Sequence, residues 1–156
     1  LNRRALLGLL TLGAVWATPL AAHAAAPLIG TPKGRPKIQL DRLELPPGVD
    51  DAKFLSERLS KQLKRAARRA DWGAGRGAMI RFRFRVETLE LTRRADVLTV
   101  RCGAVGVLPG GRSARTKLTY SGDPSDSRGL ILRVLEIAAR GVVARLSDLE
   151  RTRRVG

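Results

Sequence analysis

Arg81, Arg83 and Arg85 alternate with Phe82, Phe84 and Val86, and Arg101, Arg115 and Lys117 recur in two later extended runs. Arginine binds phosphates and carboxylates through two parallel N–H donors. Successive side chains of a strand point to opposite faces. The alternation therefore sends Ile80, Phe82, Phe84 and Val86 inward and the three arginines outward. No aromatic platform for base stacking stands beside them. Arg81, Arg83, Arg85, Arg101, Arg115 and Lys117 form the candidate anion- or partner-binding set. Strands about 4.8 Å apart would join them into one cationic surface. The competing reading is a solvated face that resists edge pairing.

Other chemistry finds few residues. The chain has one histidine, His23, and one cysteine, Cys102. Cys102 falls in the inward phase of an apolar strand, where a thiol is inert. Without a histidine beyond His23 there is no Ser-His or Cys-His pair for nucleophilic attack. Metal sites lack ligands. Glu87, Glu90 and Asp96 are a candidate carboxylate group, or charge balance for Arg93 and Arg94. No catalytic residue, metal or cofactor is assigned. Gly73 to Ala78, "GAGRGA", fits a dinucleotide fingerprint, but that motif needs strand, loop, then helix. Here a helical run precedes it and a strand follows. Gly106 to Ser113, "GVLPGGRS", is one residue from a phosphate-binding loop and reads as a hairpin turn, since no helix follows.

The elements that carry these residues follow from periodicity. "KIQLDRLEL" is a short strand with a phase slip near Arg42, ended by Pro46-Pro47-Gly48. Asp50 or Asp51 can cap a helix whose stripe is Phe54, Leu55, Leu59, Leu63, Ala66, Ala67 and Ala70. Its opposite face carries Arg58, Lys61, Lys64, Arg65, Arg68 and Arg69. Trp72 reads as a lid over the helix end. The second strand needs a bulge near Glu87-Thr88, where the apolar phase moves to Leu89 and Leu91, and "TRRAD" turns the chain. The third strand, about Val97 to Leu108, buries Leu98, Val100, Cys102 and Ala104. The fourth, about Ser113 to Ser121, points Ala114, Thr116, Leu118 and Tyr120 inward. "SGDPSDS" ends in capping residues. A second helix buries Ile131, Val134, Leu135, Ala138, Val142, Leu146 and Leu149, and gives way to a frayed basic tail at 151–156.

The fold expected is α+β, in the order β-α-β-β-β-α. It has a four-stranded mixed sheet, both helices on one face, and an open basic face opposite. Its domain spans 37–150. Residues 25–36, with three prolines and two glycines, read as a flexible linker.

Residues 1–24 have the charged, apolar and A-x-A order of a cleaved export signal. "NRRALLG" fits the twin-arginine type, and the general secretory route fits as well. Cleavage after Ala24 would remove Arg3, Arg4 and His23, lowering the net charge from +16 to +14. The compartment expected is periplasmic or extracellular, with membrane contact only through the uncleaved signal or by surface electrostatics.

This order of elements, behind an export signal, resembles a group of small bacterial envelope proteins. The group includes the outer-membrane lipopolysaccharide-assembly lipoprotein, the lipoprotein activators of penicillin-binding proteins, and the N-terminal domain of the Tol-system propeller protein. The resemblance covers 37–150 and is one of topology, so it carries over no functional residue. The chain also has no cysteine near Ala24 to bear a lipid. The resemblance implies a non-enzymatic accessory whose partner is an envelope protein or an anionic polymer, contacted through the basic sheet face and the first helix. The alternative is a general polyanion or nucleic-acid binder, since α-β-β-β-α is also the order of a double-stranded RNA-binding domain. Against nucleic acid, the second helix opens with only Arg128 and Arg133 where such domains carry a lysine-rich segment. An enzyme of unrecognised type is the third reading.

Overall fold

The computed structural model describes residues 34–155, Arg76 excepted. The export signal and most of the proposed linker lie outside the described residues. The elements are β1 (Lys37–Glu44), α1 (Ala52–Arg69), β2 (Met79–Arg94), β3 (Val97–Val107), β4 (Ser113–Gly122), a 3-10 turn (Pro124–Asp126) and α2 (Ser127–Val155). The sheet order is β1-β2-β3-β4, with β1 parallel to β2 and the other pairs antiparallel. The chain is therefore an α+β fold with a four-stranded mixed sheet and two helices.

Both expected irregularities are present. The β1–β2 register shifts between Leu40 and Arg42, and the β2–β3 register between Val86 and Thr88. Each shift restores the inward phase of the residues that follow, so the apolar set stays on one side despite broken alternation.

The helices cover that side. Leu55, Leu59, Leu63 and Ala67 are the buried stripe of α1, and Leu130, Val134, Leu135, Ala138, Val142 and Leu146 are buried along α2. They pack on Phe82, Phe84, Val86, Val100, Cys102 and Ala104 in one core. Trp72 is the lid expected: it is buried, donates from Nε1 to the Ala67 carbonyl at 2.8 Å, and has its ring 6.2 Å from that of Phe82.

Gly106 is where α2 presses hardest on the sheet. A Cβ there would sit 2.5 Å from Val142 Cγ1 and 2.7 Å from Leu146 Cδ1. Gly106→Ala should therefore lower stability by about 1–3 kcal/mol through overpacking, read as the urea midpoint. An unchanged midpoint would show that α2 shifts at no cost.

The structure corrects several expectations. Asp51 stands at the start of α1 with φ 55°, but its side chain makes no capping bond and pairs with Arg128 of α2 instead. The cap is replaced by a tertiary tie. The turn expected over "TRRAD" is tighter, because β2 continues through Arg94. Tyr120 is in the inward phase yet 38% exposed, as is Leu91 at 47%. Both flank Val100, their partner across the strands, and the helix layer seals only that central residue. Leu149 is also exposed. The segment read as a frayed tail is helical through Val155, because Arg151, Arg153 and Arg154 are tied to carboxylates. At the other end, Pro36 is buried and the Gly34 carbonyl accepts from the Gly75 N–H, so the last linker residues are docked.

Candidate functional site

The outer sheet face is built from three register rows. Glu44, Arg85, Val105 and Arg115 lie side by side across β1 to β4. One row away stand Arg42, Arg83, Val107 and Ser113, and on the other side Thr88, Gly103 and Lys117. Arg101 lies beyond, opposite Glu90 and Thr119, and Arg81 lies beside Gln39 at the opposite end. All six cations named from sequence are thus exposed on one face. Among the described residues, Arg81, Arg83, Arg101, Arg115 and Lys117 enter no ion pair, and Arg85 meets Glu87 only at 3.8 Å.

The basic side of α1 is not part of this face. Its core stripe packs against the inner side of the sheet, so Arg58, Lys61, Lys64 and Arg65 project from the far side of the molecule. A single flat ligand cannot engage both, because the sheet lies between them.

Val105 was not singled out by sequence reasoning. It sits on the outer face yet is only 3% exposed, and it is not part of the main core. Its cross-strand neighbours are Arg85 and Arg115, whose aliphatic stems can cover apolar surface while their guanidinia stay in water. Arg42 and Glu44 also escaped notice. The only sequence signal was the phase slip near Arg42, which turns both to the outer face.

The other candidates disperse. Glu87 sits at the bulge, Glu90 opposite Arg101, and Asp96 in the turn beyond Arg94. Cys102 is buried, and desolvation pushes its thiol up to about 11. No group of metal-ligating side chains occurs among the described residues. The glycine motifs have structural uses. Gly110 and Gly111, with φ of 83° and 81°, make the β3–β4 turn, closed by the Leu108 N–H on the Arg112 carbonyl. At Gly75 the guanidinium of Arg154 occupies the space a side chain would need, and it donates to the Ala74 carbonyl at 2.9 Å.

Glu150 is the buried charge that sequence reasoning missed. Only 3% exposed, it meets Arg112 at 2.8 Å, Arg153 at 2.8 Å and Arg154 at 3.0 Å. Hydrogen bonding from Arg153 foremost, then from Arg154 and Arg112, holds its carboxyl down at about 2 against the opposing effect of burial. This cluster ties the end of α2 to the β3–β4 turn and, through Arg154, to the loop before β2.

No family model and no curated protein matches the chain. Solved structures do resemble it. A candidate lipoprotein from Caulobacter crescentus CB15 is 15% identical, with a TM-score of 0.44, over 75% of this chain and 90% of that one. A PelC dodecamer subunit from Paraburkholderia phytofirmans is 16% identical, with a TM-score of 0.43, over 73% and 88%. The rare lipoprotein B from Shewanella oneidensis is 14% identical, with a TM-score of 0.31, over 75% and 93%. Small bacterial lipoproteins are thus among the structures to which this chain is similar. Among the described residues, no helix is long and apolar enough to cross a membrane.

Proposed function

We propose that this chain is an exported, non-enzymatic accessory of the bacterial envelope that binds an anionic envelope polymer through its outer sheet face. The observation that carries this reading is the set of five cations without an ion-pair partner among the described residues, on the sheet face opposite the helices. Cations meant only for solubility are ordinarily interspersed with acids. Here Glu44, Glu87 and Glu90 are the acids near them, and two of these stand beside Arg42 and Arg85. The export-type order of residues 1–24 and the topological resemblance to envelope accessories support the compartment and the absence of chemistry.

A salt titration of binding to lipopolysaccharide, peptidoglycan and DNA tests it. An envelope polymer should bind more tightly than DNA at physiological salt. Changing Arg81, Arg83 and Arg85 together to serine should weaken that binding about tenfold or more, from three contacts worth roughly 0.5–1 kcal/mol each. Equal, steeply salt-dependent binding to all three polymers would favour the general polyanion reading instead. Undiminished binding by the triple variant would remove the sheet face from consideration.

A further inference from the structure

The outer face is not uniformly flat. A notch of about 180 Å³ opens at its β1–β2 side, lined by Arg42, Glu44, Arg83, Arg85, Val105 and Val107. Its lining is mainly guanidinia, with part-exposed Val107 as its apolar contribution and Val105 buried beneath. We propose that this notch is a discrete site for a phosphomonoester that carries an apolar or ring substituent. The proposal deepens the reading of the face as anion-binding and rests on it.

The notch exists because of the slip in β1. The register shift between Leu40 and Arg42 brings Arg42 opposite Arg83, and Glu44 opposite Arg85. Strict alternation from Leu40 would have turned Arg42 to the core side and Asp41 outward. Arg42 Nε lies 2.6 Å from Glu44 Oε1, a contact that leaves its two terminal nitrogens for a ligand. Arg83 has no ion pair among the described residues, and Arg85 has only its long contact to Glu87 outside the lining. Three guanidinia against one carboxylate leave two positive charges in the notch. That balance suits a phosphomonoester dianion better than a singly charged carboxylate or diester. Planar guanidinium forks match its oxygens bidentately.

Val107 selects what is attached to the phosphate. It stands opposite Arg83 and is part-exposed, whereas Val105, opposite Arg85, is only 3% exposed and out of a ligand's reach. Apolar contact there adds binding only if the ester group reaches it. Inorganic phosphate should therefore bind, and phenyl phosphate should bind more tightly.

Side-chain NMR of the arginine Nε–H groups in the full chain reads this directly. Phenyl phosphate should shift the signals of Arg42, Arg83 and Arg85 saturably, with an affinity several-fold above that of inorganic phosphate. Arg42→Gln or Arg83→Gln should lower the affinity about five- to tenfold, while Arg101→Gln and Lys117→Gln, on the same face but outside the notch, change it less than about twofold. Val107→Thr should reduce the preference for the phenyl ester and leave inorganic phosphate unaffected. Vesicles of phosphatidylcholine with phosphatidic acid separate the source. Retention weakened by Arg42→Gln but not by Lys117→Gln places the ester on a lipid, and retention equal in both, with phenyl phosphate still saturating, places it on a soluble molecule. Shifts spread evenly over Arg81, Arg101 and Arg115 that follow ionic strength alone would overturn the notch while leaving a diffuse cationic face. Saturable phosphate binding without any polymer binding would retain the notch and remove the polymer reading.

Discussion

Glu150→Gln is expected to destabilise the domain by about 2–4 kcal/mol at neutral pH and to flatten its acid sensitivity. The carboxylate is buried, and its partners Arg112 and Arg154 are themselves only 30% and 17% exposed. Removing one member of such a cluster leaves partly desolvated guanidinia without compensation, a loss of about 3–5 kcal/mol when fully buried. The exposure of Arg153 lowers that figure. The depressed carboxyl leads to a similar value. A fall from the ordinary 4.5 to about 2 corresponds to about 3 kcal/mol. A carboxyl held below its unfolded value stabilises the fold fully above that value. The contribution is then lost as pH falls from about 4.5 through about 2. Urea midpoints followed by circular dichroism should thus show a large gap between the wild type and Glu150→Gln at pH 7 that narrows toward pH 2. Some acid sensitivity persists in the variant. The Gly73 N–H lowers the Asp71 carboxyl and the Ser125 N–H lowers that of Asp123, and both act in the same direction. A gap under about 0.5 kcal/mol at pH 7 would mean that the arginines turn to water at no cost.

Phe82→Ala and Arg83→Ser should separate fold from binding at adjacent residues. Phe82 is 1% exposed, between the Trp72 ring and the rest of the core. Its truncation costs about 3–5 kcal/mol, through lost transfer energy and the cavity left behind. In a domain of this size that is a large part of the whole stability, typically about 5–15 kcal/mol. Arg83 is exposed on the other face and free of ion pairs among the described residues, so its loss should change stability by less than about 0.5 kcal/mol. It should, however, weaken anion binding. Thermal midpoints and phosphate titration of the two variants check the pair. A destabilised Arg83→Ser would mean that its stem, cross-strand from Val107, matters more to the fold than its charge does to ligands.

The arginine and phenylalanine alternation was legible because a strand has only two faces. Once Phe82 and Phe84 are assigned to the core, Arg81, Arg83 and Arg85 have only one direction to point. The helical stripes of α1 and α2 and both irregularities were readable for the same reason, since a phase slip in an apolar pattern has to be absorbed locally. Tyr120 and Leu149 show where this stops. Periodicity places a side chain on a face, but it does not say how far the opposing layer extends over that face.

Local sequence determined the element order, the α+β class and the side of the sheet that would carry cations, because these depend on the period of apolar residues within each segment. Only the tertiary structure decided which charges meet. Glu150 is separated from Arg112 by the whole of β4 and most of α2, and Asp51 finds Arg128 rather than its own helix end. Arg42 joins Arg83 and Arg85 only through the β1–β2 register. Ion pairs and ligand sites depend on distances across the fold, and a single sequence encodes those distances only through the packing of its core.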